Sequence, residues 1–339
     1  MPASVSTPTT QSTPTTNTSN HSSLEQLKQM TTIVADTGDL AAIARLKPID
    51  ATTNPSLITK ALTPTDGQMD KQARLIDTMN RHHGDIDKVI DALTIEIGTQ
   101  ILQLIEGRVS TEVDARLSYQ TQETVSKALQ FMDAYSKQGI SPDRVLIKIA
   151  ATWQGIKAGE ILEKQGIHCN LTLLFGQHQA AACADAGVTL ISPFVGRILD
   201  WQKRQENRDD IAITQDLGVQ SVTNIYHHYK QHGYDTQVMG ASFRHVGQIL
   251  ALAGCDLLTI SPNLLDELAH MHQPVTRKLS HTMAQTTDVH STAKMNPSQA
   301  AFNKAHEADA MTQSLLSKGI DGFITARDDL ETLLKNITR

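Results

Sequence analysis

The chain has 339 residues, 40% hydrophobic and 19% charged, and carries a net charge of -6. That length supports one large domain or two ordinary ones with a sizeable core. The acidic balance argues against nucleic acid or an anionic membrane as partner, and no apolar run reaches transmembrane length.

The first stretch, "MPASVSTPTTQSTPTTNTSNHSS", is rich in Ser, Thr and Pro and contains no Asp, Glu, Lys or Arg. It lacks the basic start and apolar middle of a signal peptide and the arginines of a transit peptide. With so little apolar surface to bury, it cannot offset its ordering entropy. Residues 1–23 are therefore expected to be a disordered tail, and 24–339 a single domain.

Short apolar segments with β-branched content then recur, and each reads as a strand. They are "TTIVADT" (31–37), "DATTNP" (50–55), "RVSTEVD" (108–114) and "RVLIKIA" (144–150). The later four are "HCNLTLLF" (168–175), "VTLISPFV" (188–195), "TQVMGAS" (236–242) and "LLTISP" (257–262). Helical periodicity fills the gaps: Val222, Ile225, Tyr226 and Tyr229 share one face, as do Val246, Ile249, Leu250 and Ala253. Ser221 is a candidate cap for the first of these and Gly254 a candidate end for the second. The polar run 280–299 reads as a long surface loop.

Eight strands alternating with helices over some 230 residues predict a parallel (β/α)₈ TIM barrel, which typically needs about 250 residues. An open doubly wound sheet is the competitor. Against it, "ADTGDLAAI" has one glycine where a dinucleotide fingerprint needs three, and no Walker-type loop occurs.

Barrel active sites are built at the carboxyl ends of the strands. There the sequence places Asp36, Asn54, Glu112, Lys148, Thr172, Ser192, Ser242 and Arg244. Loops begin at strand ends, so small polar residues there are unremarkable. Two carboxylates, a lysine and an arginine from four strands are harder to dismiss. Alternation sends Val145, Ile147 and Ile149 toward the helices, and Leu146, Lys148 and Ala150 into the barrel. A lysine stripped of water favours its neutral amine, a nucleophile for carbonyl carbon. An ion pair with Glu112 or Asp36 would instead keep the ammonium. Position alone leaves both readings open.

The stretches "VADTGD", "DATTNPSLI", "GRVSTEVDARLSY", "RVLIKIAATWQGI", "NLTLLF", "ISPFVGRILDW", "VMGASFR" and "LAGCDLLTI" run in order from residue 34 to 260. In them the chain resembles the transaldolases, Schiff-base enzymes of the non-oxidative pentose phosphate pathway, over essentially everything after the tail. The resemblance implies that Lys148 forms an imine with a ketose phosphate. Asp36 would take the proton from the carbon-4 hydroxyl as the bond between carbons 3 and 4 breaks. A three-carbon dihydroxyacetone unit would stay on the lysine until a second aldose phosphate accepts it.

Glu112 and Thr172 match the pair that holds a catalytic water in that family. Asn54, Asn170 and Ser192 match groups that bond the dihydroxyacetone hydroxyls. Arg197, Ser242 and Arg244 match the phosphate site, where forked guanidiniums suit phosphate oxygens. The alternative for Arg197 is a surface pairing with Asp200.

Fructose 6-phosphate aldolase, a shorter branch of the superfamily, carries glutamine at the place of Glu112 and tyrosine at that of Phe194. Both positions here follow the transaldolase pattern, with Phe194 at the substrate. A non-catalytic sugar-phosphate-binding barrel would not need Asp36, Glu112 and Lys148 together. "LLFGQHQ" departs from the "LLFS" form, but Gly176 carries no assigned role.

No cofactor is expected: nothing suggests a pyridoxal phosphate cup. A metal site is not expected either, because His228 and His232 keep no acidic or cysteine partner in register. Cys169, Cys183 and Cys255 show no paired spacing, which favours a reducing compartment and hence the cytoplasm. The resemblance also implies a homodimer.

Overall fold

The computed structural model describes residues 21–64, 69–286 and 298–337. Residues 1–20 of the expected tail and 287–297 of the expected loop lie outside the described residues. Eight parallel strands close into a barrel in chain order. They are β1 Thr32–Asp36, β2 Asp50–Thr52, β3 Val109–Glu112, β4 Val145–Ala150, β5 Cys169–Leu174, β6 Leu190–Pro193, β7 Gln237–Gly240 and β8 Leu257–Ile260. Helices run between the strands outside the barrel, so the fold is a (β/α)₈ barrel.

Each strand lies inside its expected segment, which overruns it by up to three residues. The overrun has a local cause at β2. Asn54 already caps the helix Pro55–Leu62, its side chain accepting from the Leu57 N–H, so the ladder stops at Thr52.

Alternation divides the core as expected from β4. Val145, Ile147 and Ile149 join the layer between barrel and helices, together with Ile33, Ala35 and Leu171. Leu146 instead packs inside the barrel with Val34, Leu190, Met239 and Leu257, forming an apolar floor. A third apolar layer, with Leu173, Phe175, Phe194, Ile198, Leu316, Ile320 and Phe323, closes over the carboxyl ends. Leu316, Ile320 and Phe323 come from one long helix, Ala310–Ile337, which lies against β5 and the helix Pro55–Leu62.

Several sequence expectations require correction. The helix Leu217–His232 is capped by Asp216, whose carboxylate accepts from the Gly218 and Val219 N–H groups. A carboxylate at the positive end of the helix is the stronger cap, and Ser221 falls inside the helix. The helix Val246–Ala251 ends before Gly254, with Leu252 as its cap. Gly254 instead takes φ +99° in the next turn, where a Cβ would meet the Leu279 carbonyl oxygen at 2.0 Å. Residues His281–Thr286 of the expected loop are helical, and Ser298 caps the helix Gln299–Ala308.

The tail boundary also moves. Ser22 forms a capping box with Glu25 at the head of the helix Ser23–Lys28. The Ser23 hydroxyl donates to the Gln273 carbonyl at 2.9 Å and is buried. Both serines thus belong to the folded unit, Ser22 through the cap and Ser23 through a partner 250 residues away that composition does not reveal.

A chain beginning at residue 24 should therefore be less stable than one beginning at residue 21, by about 0.5–2 kcal/mol, the range for losing a cap. Urea denaturation of the two forms checks this, and equal midpoints would show that the cap contributes nothing.

Candidate active site

Strand register assembles the centre of the barrel. In parallel neighbours, paired residues stand side by side on one face. Lys148 pairs with Glu112 on β3 and with Asn170 on β5, while Asp36 pairs with Thr52 on β2. Four polar side chains are thus set around one lysine by backbone pairing alone. They lie one layer above the apolar floor.

Lys148 Nζ lies 3.1 Å from Glu112 Oε2 and donates to the Thr53 carbonyl at 2.9 Å. Both side chains of the pair are buried, at 5% and 3% exposure, so neither charge is compensated by solvent. The pair contact lacks hydrogen-bond geometry. Glu112 Oε2 and Thr172 Oγ1 are buried without a hydrogen-bond partner among the described residues. Such atoms ordinarily cost about 1–3 kcal/mol each until something bonds them.

Burial pushes the Glu112 carboxyl above its usual range, against the pull of Lys148 and Arg197. Burial does the same to Asp36, opposed by Lys148, by a Thr52 hydrogen bond and by Arg197. The Thr52 hydroxyl donates to Asp36 Oδ1 at 3.1 Å and meets Thr259 Oγ1 at 2.8 Å. Neither threonine is singled out by the sequence, since their role depends on register across β8, β1 and β2.

On the other side of the lysine, Ser192 Oγ donates to Asn170 Oδ1 at 2.5 Å, and Asn170 Nδ2 donates to Ser110 Oγ at 3.0 Å. Asn54 spends its carbonyl oxygen on the helix cap, leaving its NH₂ to donate elsewhere. Beyond Thr172 the backbone turns left-handed at Leu173, φ 55°, and the β5–β6 register shifts there. Ser242 is left-handed too, φ 61°. Non-glycine residues in that region cost on the order of 1–3 kcal/mol and cluster at functional sites.

A cavity of about 140 Å³ opens here, several water volumes at ~30 Å³ each. Asp36, Asn54, Lys148, Thr172, Ser192, Phe194, Arg197 and Ser242 all line it. Three expected residues do not. Asn170 lies beneath, fully buried. Glu112 stands behind Lys148 and lines a smaller cavity with Asn54 and Asp114. Arg244 sits at the rim.

The arginines differ from the expected alternative. Arg244, not Arg197, pairs with Asp200, through Nη2 at 2.7 Å and Nε at 3.0 Å. Arg244 Nη1 also donates to Ser242 Oγ at 3.3 Å. Arg197 Cζ instead lies 4.9 Å from the Phe194 ring centroid and 5.7 Å from that of Phe323. Burial lowers the Arg197 guanidinium, and the nearby positive charge of Arg244 adds to this. The repulsion between the two cations is offset in part by Asp200, Glu112 and Asp36, and two guanidiniums at the mouth of the site suit an anionic ligand.

Phe323 is a further residue of the site, beside Thr52 and Thr259, that the sequence did not single out. Its helix is legible from Leu316, Ile320 and Phe323 on one face. What that face covers is not.

The sequence profile of the Transaldolase/Fructose-6-phosphate aldolase family matches residues 33–334. A transaldolase of Trichormus variabilis is 54% identical over 310 residues, covering 90% of this chain and 92% of its own. One from Thermosynechococcus vestitus is 54% identical over 316 residues, covering 90% and 79%. Transaldolase A of Pasteurella multocida is 52% identical over 313 residues, covering 90% and 95%. The strands, the buried lysine and these matches agree along the whole folded unit: the chain belongs to the transaldolase/fructose-6-phosphate aldolase family.

Proposed function

We propose that this chain is a transaldolase that moves a dihydroxyacetone unit from a ketose phosphate to an aldose phosphate through an imine on Lys148. Sedoheptulose 7-phosphate or fructose 6-phosphate would be the donor, and glyceraldehyde 3-phosphate or erythrose 4-phosphate the acceptor. The observation that carries the reading is the buried contact between Lys148 and Glu112. Burial raises the Glu112 carboxyl, so Glu112 is suited to accepting the proton that Lys148 must shed as it attacks a carbonyl.

Each step has a group suited to it. The amine adds to the ketose carbonyl, and loss of water gives the imine. Glu112 and Thr172, with their unpartnered oxygens, are suited to holding the water that carries those protons. Asp36, its carboxyl raised by burial, is suited to taking the carbon-4 hydroxyl proton as the carbon–carbon bond breaks. Asn54, Asn170 and Ser192 would bond the hydroxyls of the retained unit. Arg197, Ser242 and Arg244 would hold the phosphate common to donor and acceptor. The phosphate must share or displace Asp200, whose contact with Arg244 is exposed and therefore weak.

Glu112 and Phe194 favour transfer over simple cleavage by the aldolase branch, and the three relatives described above are named transaldolases. Cys169, Cys183 and Cys255 are all free and buried, which supports a reducing compartment and a cytoplasmic location. A homodimer is the assembly that the family reading supports, and sedimentation at micromolar concentration tests it.

Lys148→Ala should abolish both transfer and borohydride fixation of the donor's three-carbon unit, with circular dichroism unchanged. Fixation at another lysine would overturn the assignment.

Asp36→Asn should stop carbon–carbon cleavage yet raise the melting temperature at neutral pH. The sign follows from burial: the native carboxyl titrates above the unfolded one, so its contribution is fully present below pH 3.8 and is lost as pH rises past the native value. The advantage of Asn should accordingly vanish in acid. A melting curve lowered at pH 7 would show that Asp36 is stabilising as the carboxylate.

Arg244→Ala should lower kcat/KM for phosphorylated substrates about ten- to a hundredfold, the worth of a charge-assisted hydrogen bond at roughly 1.5–3 kcal/mol. Rates with unphosphorylated glyceraldehyde should barely change. Equal losses with both would point to a structural role in holding Asp200.

A further inference from the structure

The ceiling of the cavity comes from far along the chain, on the helix Ala310–Ile337. Gly319, Phe323 and Arg327 are spaced four apart and so share one face. At Gly319 a Cβ would stand 2.7 Å from Leu173 Cδ2 and 3.1 Å from Arg197 Nη1, so the missing side chain lets the helix lie close on the site. One turn on, the Phe323 ring lines the cavity, its centroid 6.0 Å from Lys148 Nζ.

One turn further, Arg327 is buried and stands between two carboxylates. Its Nε lies 2.9 Å from Asp114 Oδ2, a charge contact without hydrogen-bond geometry, and its Nη2 contacts Asp87 on the helix Ile86–Leu102. Arg116 braces the same two carboxylates, at 2.7 Å from Asp114 and 3.1 Å from Asp87. Asp114 follows Glu112 by two residues. The latch is therefore anchored to the segment that carries the partner of Lys148.

We propose that Arg327 is a positioning residue for transfer: it holds Phe323 over the Lys148 adduct and so keeps bulk water from the enamine until an acceptor arrives. The proposal rests on the imine at Lys148. In transfer, the nucleophilic enamine carbon bonds the acceptor's aldehyde carbon, and the aldehyde oxygen takes a proton. In the competing path, the same carbon takes a proton from water, giving back an imine. Water then adds to the C=N carbon, the carbon–nitrogen bond breaks, and dihydroxyacetone leaves with the lysine amine restored. Both outcomes spend the same electron pair. Which electrophile reaches the carbon decides between them, and a closed apolar ceiling disfavours water.

The test compares dihydroxyacetone released from fructose 6-phosphate alone with ketose formed when erythrose 4-phosphate is added. The ratio of release to transfer should rise on the order of tenfold in Phe323→Ala and in Arg327→Ala, a modest change in relative barriers. Arg327→Lys should return the ratio toward that of the native protein. Borohydride should still fix the three-carbon unit on Lys148 in every variant. A purely structural role would depress both rates together and leave the ratio flat.

An unchanged ratio in Phe323→Ala, with fixation intact, overturns the ceiling. A raised ratio there with none in a folded Arg327→Ala overturns the latch. Should Arg327→Ala fail to fold, Arg327→Gln takes its place: a ratio raised in both Phe323→Ala and Arg327→Gln supports the proposal, and a flat ratio in either overturns it. Failure to fix any unit on Lys148 in the native protein overturns the imine reading itself.

Discussion

An amine and a carboxyl 3.1 Å apart inside a barrel form the constraint around which the rest of this molecule is arranged. Buried ion pairs seldom add net stability, because removing two charges from water offsets most of their attraction. Deleting either partner is worse, since it strands the other charge. The β3–β4 register fixes the pair without relying on side-chain choice, as Glu112 and Lys148 are Cα partners. The Thr53 carbonyl supplies the further acceptor that a buried ammonium needs. The arrangement is poised rather than optimal: the misaligned contact and the orphaned oxygens of Glu112 and Thr172 leave bonding capacity for a substrate.

That poise requires a rigid support, and the layers of the barrel provide it. Along β4 the inward residues run from Leu146 in the apolar floor, through Lys148, to Ala150 in the upper apolar layer. Polar chemistry is confined to one middle layer, sealed below by Val34, Leu190, Met239 and Leu257 and above by Phe194 and Phe323. In such a setting electrostatic effects are strong, which is why burial is the leading cause of the raised Asp36 and Glu112 carboxyls.

Much of this was legible in the sequence where short-range patterning decides. Alternation in "RVLIKIA" gives both the strand and the inward face of Lys148, because period two is local. The strand ends mark Asp36, Glu112 and Thr172 for the same reason. Features that depend on register or distant packing were not legible. Thr52 reaches Asp36, and Thr259 reaches Thr52, only once β8, β1 and β2 are laid side by side. Ser22 and Ser23 read as tail by composition, yet bond groups at the head of their own helix and near residue 273. The partner of Asp200 is Arg244 rather than Arg197, its neighbour in sequence, because aromatic packing draws the Arg197 guanidinium inward over Phe194.

The same displacement explains how the mouth can serve an anion. Arg244 is tethered in the open by Asp200, and a solvent-exposed pair of this kind is held by roughly 1 kcal/mol or less. Arg197 is half-buried between two aromatic faces, where cation–π attraction replaces part of its lost hydration. Each cation is thus stabilised alone, but they remain close enough for Arg244 to add to the lowering of Arg197. An anion entering between them would relieve that repulsion and could outbid a weak carboxylate at one side. Such a site would suit a small charged end group without a deep pocket of its own, with the buried lysine left free to meet whatever carbon chain is attached.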